Sequence, residues 1–296
     1  MNTRLLSLLL PFGLAACAGG TYNQGGDDYK TGDDTGPDSD GDTDGDGDTD
    51  GDADSDADTD TDAPGYCTHA YLPVHEFGWR KDFRVKYKGE VGSGTEEAVG
   101  STTLANGQDG WVYRETFSTT GLSYDLNMTV GCDTEASEEG MFLYAYDGTV
   151  NLNVFDALPL SMATEASLSP HRRFLPPEYA VGSVGSWAYS YTNAVSTSMD
   201  GSAPQAQNLN VQGTFSESGV TSLQLETGET VQAYKLLNQF TTSGDLFGAP
   251  IPAEGLIESW YAPGLGLVKE ITYDSADPST PLFEKDLVSY SGLTPQ

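Results

Sequence analysis

Positive charge is scarce in this chain: 13 Lys and Arg stand against 45 Asp and Glu in 296 residues, a formal net charge of −32. A surface of that sign repels phosphate over most of its area, which excludes nucleic acid as a partner. Histidine is scarcer still, at 3 residues. His69, His75 and Glu76 lie close together, but the one further histidine, His171, sits beside Arg172 and Arg173, so they read as loop residues rather than as a metal centre. Cysteine is limited to Cys17, Cys67 and Cys132, with no Cys-x-x-Cys spacing, and neither a zinc site nor a redox pair is expected. The chain also lacks a Gly-x-Ser-x-Gly elbow, a His-Glu-x-x-His pair, a phosphate loop and a dinucleotide fingerprint. Carboxylates such as Glu96-Glu97, Glu138-Glu139, Asp274 and Asp277 are plentiful, yet none stands out as the pair a glycosidase needs. The chain is therefore read as a non-enzyme without a cofactor. No apolar run reaches the roughly 20 residues of a membrane span, and no segment holds a helical stripe over three turns.

What is present begins at the N-terminus. Arg4 is followed by Leu5 to Leu10, an interruption at Pro11 and Gly13, and then Leu14-Ala15-Ala16-Cys17, which together make a secretory signal. The last four residues resemble the lipobox of bacterial lipoproteins. That resemblance implies removal of residues 1–16, lipidation of Cys17 on sulfur and acylation of the new amino terminus. Each buried CH2 contributes roughly 0.8 kcal/mol, so several acyl chains hold a protein at a membrane where one does not. Ala18 in place of Asp after the cysteine implies, by the same resemblance, the bacterial outer membrane; the side on which the protein sits is left open.

Composition then changes abruptly. Residues 17–63 carry seventeen Asp between Asp27 and Asp62 against Lys30 alone, and no aromatic beyond Tyr22 and Tyr29. Such a segment cannot bury enough apolar area to offset chain entropy, so it is expected to be a disordered tether. The formal −32 divides into −16 over this stretch, +1 at Arg4 and −17 over the rest. A flexible coil of this length spans about 40 Å, more when it repels itself. Asp38, Asp40, Asp42, Asp44, Asp46 and Asp48 alternate as calcium-loop carboxylates do and are similar to acidic repeats of calcium-binding extracellular proteins. No Glu closes the loop, and the alternation runs on to Asp62 without Gly, so the reading is a solvated spacer that condenses divalent cations weakly.

From Pro64 to Gln296 the texture is β. Phe83-Arg84-Val85-Lys86-Tyr87, Trp111-Val112-Tyr113-Arg114 and Trp187-Ala188-Tyr189-Ser190-Tyr191 alternate, while Asn106-Gly107, Asp147-Gly148, Asp200-Gly201 and Thr227-Gly228 mark turns. An all-β fold of about a dozen antiparallel strands in curved sheets is expected. A faint internal duplication suggests two half-barrel-like units, residues 64–170 and 171–296. Trp79 is echoed by Trp187, Gly100–Leu104 by Gly219–Leu223, Tyr113-Arg114 by Tyr234-Lys235, and Gly140–Leu143 by Gly264–Val268. With Cys17 lipidated, Cys67 and Cys132 remain as an even pair in an exported chain and are expected to form a disulfide, worth about 4 kcal/mol in the chain-entropy model.

Trp260-Tyr261-Ala262-Pro263-Gly264-Leu265-Gly266-Leu267-Val268-Lys269-Glu270 resembles a phrase near the end of several families of uncharacterised bacterial lipoproteins, and the strand around Gly140 resembles its counterpart in their first half. The resemblance implies the half-barrel of periplasmic lipoprotein carriers, in which a concave sheet covers an apolar cavity. On that basis an apolar or amphiphilic, lipid-like ligand is expected against an aromatic wall with Trp111, Tyr113, Trp187, Tyr189 and Trp260 as candidates. The alternative is a structural or adhesive surface protein that works through its outer face and tether. One cationic ribbon stands apart: on a strand, Arg84, Lys86 and Lys88 share a face opposite Phe83, Val85 and Tyr87, which reads as a solvated face paired to acids across the sheet, the alternative being contact with lipid phosphates or an anionic glycan.

Overall fold

The computed structural model describes residues 69–73, 77–104, 107–132, 140–153, 159–199, 202–246, 249–250, 253–274 and 277–296. The signal and tether lie outside the described residues, and with them Cys17, Cys67 and the aspartates from Asp38 to Asp48; so do His75 and Glu76. The rest is all β, as the alternation and turn spacing indicate. Thirteen strands run in chain order: β1 (Arg80–Tyr87), β2 (Glu90–Thr103), β3 (Asp109–Ser118), β4 (Leu122–Cys132), β5 (Met141–Asn153), β6 (Pro159–Leu175), β7 (Ser186–Met199), β8 (Gln205–Gln224), β9 (Thr230–Leu246), β10 (Ala249–Pro250), β11 (Ala253–Ala262), β12 (Gly266–Asp274) and β13 (Asp277–Ser291). A single 3-10 turn, Glu178–Ala180, sits between β6 and β7.

Each strand pairs antiparallel with the next, β10 being a two-residue addition to the end of β9, and β13 returns to pair with β1. The sheet therefore goes further than a half-barrel: twelve strands close into one up-and-down ring with no free edge. The expected boundary at 170/171 falls within β6, and the ring runs through both halves. The sequence echoes fall in order along it, β2–β3 against β8–β9 and β5 against β12, six strands apart around the circle.

A ring of twelve is wider than the eight-stranded ring that side chains just fill, and large residues take up the extra space. Phe83, Leu126, Met128, Leu143, Tyr191, Tyr234 and Leu236 are almost wholly buried in one continuous cluster. Gly213 on β8 permits one such placement. A Cβ there would come within 2.5 Å of the Tyr189 hydroxyl, and its absence lets Tyr189 of β7 reach across to donate to Asn238 Oδ1 of β9 at 2.7 Å.

The outer face is polar. On β4 the inward Leu122, Tyr124, Leu126, Met128 and Val130 alternate with outward Ser123, Asp125, Asn127 and Thr129, a wall that suits water and not lipid tails. Of the cationic ribbon, Arg84 and Lys86 point outward and pair with Asp286 (3.4 Å) and Glu284 (2.8 Å) on β13, whereas Lys88 lies beyond the end of β1 in the turn, at a φ of 49°, with its ammonium group 5.4 Å from the Tyr87 ring. Beyond the register shift at Glu217/Val220 the β8–β9 hairpin reaches back to this seam, where Glu226 pairs with Arg84 and Glu229 accepts from Tyr290 at 2.9 Å.

One end of the ring is closed by residues 69–73. Ala70 O accepts from Gly264 N at 2.7 Å, Ala70 N donates to Glu178 at 2.8 Å, and His69 Nε2 lies 2.8 Å from Pro176 O. His69 is thus a buried structural residue, its pKa pushed down by burial.

Candidate functional site

Inside the ring, at positions in phase with the apolar core, stand two lysines and three glutamates. Lys81 alternates inward with Phe83 and Val85 on β1, Lys285 with Phe283 and Leu287 on β13, and Glu96, Glu115 and Glu270 project from β2, β3 and β12. Lys285 Nζ donates to Glu96 Oε1 and Glu115 Oε1, each at 2.5 Å. Lys81 Nζ pairs with the other Glu96 oxygen and donates to the Leu267 carbonyl at 3.1 Å. Tyr124 donates to Glu115, and Ser259 to Glu270 at 3.3 Å. Phe83 packs beneath both ammonium groups, its ring centre 4.4 Å from Lys285 Nζ and 5.4 Å from Lys81 Nζ.

Isolated charges at such depth would be very costly, so the pairing decides their state. Burial alone would raise the Glu96 carboxyl, but Lys285 and Lys81 outweigh it and hold the group below its ordinary value. Burial opposes the charge on Lys285 as well, yet Glu115, Glu96 and Glu270 together raise it above the lysine range. Lys81 shares its one carboxylate with Lys285, and burial wins there, lowering its pKa. Glu270 shifts the opposite way to Glu96. Burial, reinforced by Glu115 and Glu96, pushes it up to about 7 against the pull of Lys285 and Ser259. The cluster can therefore take up and release one proton near neutrality, at Glu270.

Lys81, Glu96, Glu115 and Glu270 border a cavity of about 70 Å³ lined also by Leu72, Tyr113, Arg172, Asn238 and Tyr261. That is space for a few waters, against the roughly 300–1,000 Å³ of pockets that hold drug-sized ligands. Of the expected aromatic wall, Trp111, Tyr113, Trp187 and Tyr189 face inward, and Tyr113 borders the cavity. Trp187 and Tyr189 pack on Phe215 with ring centres 5.2 and 5.3 Å apart. Trp260 is placed otherwise. It is buried in the apolar cluster but turned away from the cavity, cross-strand from Lys235 and Lys269, whose ammonium groups stand 4.7 and 5.9 Å from its ring. Inward Ile257, Ser259 and Tyr261 set the phase of β11, and Trp260 falls between them. No grouping of His, Cys, Asp and Glu suited to a metal occurs among the described residues.

None of the five charged cluster residues was singled out by sequence reasoning as a site. The available signal was a charge at an apolar phase: Lys81 within Lys81-Asp82-Phe83-Arg84-Val85, and Lys285 within Phe283-Glu284-Lys285-Asp286-Leu287.

Fold and interior define a closed, water-facing β-barrel with an ionic core. No family model matches the chain, and no curated protein matches it. It is similar to two solved structures. One is a Bacteroides fragilis protein described as exported, with a YmcC-like fold, at 11% identity and a TM-score of 0.39 over 73% of this chain and 96% of that one. The other is a Parabacteroides distasonis protein described as a lipoprotein, at 14% identity and 0.41 over 77% and 100%. At these scores the likeness carries no argument about function.

Proposed function

We propose that this chain is a bacterial cell-envelope lipoprotein, held at the outer membrane by acylated Cys17, that presents its barrel on an acidic tether and acts without catalysis through the barrel's outer surface. The observation that carries this reading is the filled interior. The space bounded by Lys81, Glu96, Glu115 and Glu270 is about 70 Å³, too small and too polar for an acyl chain. This favours the structural or adhesive alternative over a carrier of a lipid-like ligand. Pairing of Cys67 with Cys132, at the end of β4, belongs to the same proposal, as does weak condensation of divalent cations on Asp38–Asp48.

One experiment addresses these points together: native and denaturing mass spectrometry of the full chain extracted from bacterial membranes in detergent. The expected result is a mass that begins at Cys17 with acyl groups added and lacks the two hydrogens of a Cys67–Cys132 bond, with no further lipid retained. A stoichiometric lipid that competes off with detergent would overturn the surface reading in favour of the carrier.

A further inference from the structure

The outer wall of the ring is not uniform. Around the β12–β13–β1–β2 seam it is charged and paired, as described. On the other side, from Ala188 to Ser196 on β7, from Ala206 to Ser216 on β8 and from Gln239 to Ser243 on β9, every outward side chain is Ala, Ser, Thr, Asn or Gln. Cross-strand rows are made of these alone, as in Ser169–Thr192–Asn210–Ser243 and Ser190–Gln212–Thr241. A solvated surface commonly carries a quarter or more charged residues. Depletion of charge over a contiguous area is the compositional mark of a contact surface, here without the apolar core of a protein–protein interface.

Small side chains also leave the backbone open. Two shallow depressions of about 580 and 660 Å³ lie on this wall, one around Ser190, Gln212 and Thr241, the other around Ser167, Ala194 and Asn208. Acids line one side of each, Glu254 across from Thr241 in the first and Asp147 across from Glu165 in the second.

We propose that this wall binds a neutral, extended polysaccharide laid across the strands. The chemistry fits on three counts. Amide and hydroxyl side chains offer both donors and acceptors, as sugar hydroxyls require. Neighbouring strands lie about 4.8 Å apart, close to the length of one pyranose unit, so successive sugars meet successive strands. The domain's formal −17 and these acids repel anionic polymers, which leaves uncharged ones. This deepens the surface-module reading and rests on it.

The test is affinity electrophoresis of the same full-chain preparation in gels containing hydroxyethylcellulose, dextran or mannan, with polygalacturonate as the anionic control. Retardation by at least one neutral polymer and none by polygalacturonate is expected. Thr192→Arg with Asn210→Arg, both at solvent-facing positions, should weaken it by roughly tenfold, the loss of a row of hydrogen bonds, with circular dichroism unchanged. Absence of retardation by all three neutral polymers, or retardation that the double variant leaves intact, would overturn the proposal. If lipid is also absent from the preparation, the surface reading stands and the glycan assignment alone fails; if lipid is retained, the surface reading itself fails.

Discussion

Lys285→Met should destabilise the barrel by about 3–5 kcal/mol, because it leaves Glu96 and Glu115 buried without their shared cation. In a domain of this size that corresponds to a fall in Tm of roughly 10 °C. The cost comes from breaking the pair and not from losing a net stabiliser, and a second variant separates the two. Replacing Lys81, Glu96 and Lys285 by Met and Glu115 by Gln, which keeps an acceptor for the Tyr124 hydroxyl, removes four of the five charged groups together, leaves Glu270 to take up its proton, and should recover most of the loss. Guanidinium or thermal unfolding followed by tryptophan fluorescence measures both. A Lys285→Met protein within about 1 kcal/mol of the parent would mean that the cluster is solvated and the ring open at this point.

Glu270→Gln should leave stability unchanged at pH 4 and raise it by about 3 kcal/mol at pH 8 and above. The folded barrel holds the Glu270 proton up to about pH 7, whereas the unfolded chain releases it near 4.5. The folded state therefore binds the extra proton between those values. The stability associated with it is fully present below pH 4.5 and is lost as pH rises through 7. Around this carboxyl stand Lys285, its cross-strand neighbour on β13, Glu96 and Glu115 from β2 and β3, and Ser259 from β11. Unfolding midpoints between pH 4 and 9 check it. Parallel curves for parent and variant would mean that Glu270 titrates alike in both states and is not shielded from solvent.

Strand phase was legible because alternation is local: Phe83, Val85 and Tyr87 face inward and Arg84 and Lys86 outward, as their order along the chain requires. Trp260 shows the limit of that reading. In Leu256-Ile257-Glu258-Ser259-Trp260-Tyr261 the apolar residues come in adjacent pairs, so either phase is possible, and the register shift at Trp260/Tyr261 is a tertiary event. Closure and the ionic cluster were hidden for a different reason. Lys285 meets partners 189 and 170 residues away, and nothing near it in sequence names them. A charge at an apolar phase announces that a partner exists, but only the topology says which.

On the proposed export of the chain, the pairing of β13 with β1 sets the order of events. A chain threaded through a membrane emerges from its N-terminus, so β1 is delivered early and waits, one edge bare, until Asp277–Ser291 arrives. Closing so long a loop is entropically costly, and topologies dominated by distant contacts fold slowly. During the wait β1 is an available template for another chain's strand. It carries Arg80, Lys81, Asp82, Arg84 and Lys86, charges that discourage such mispairing until Glu284 and Asp286, the counterparts of Lys86 and Arg84, come into register. The ion pairs that fasten the finished seam thus serve beforehand as guards on its two unjoined lips.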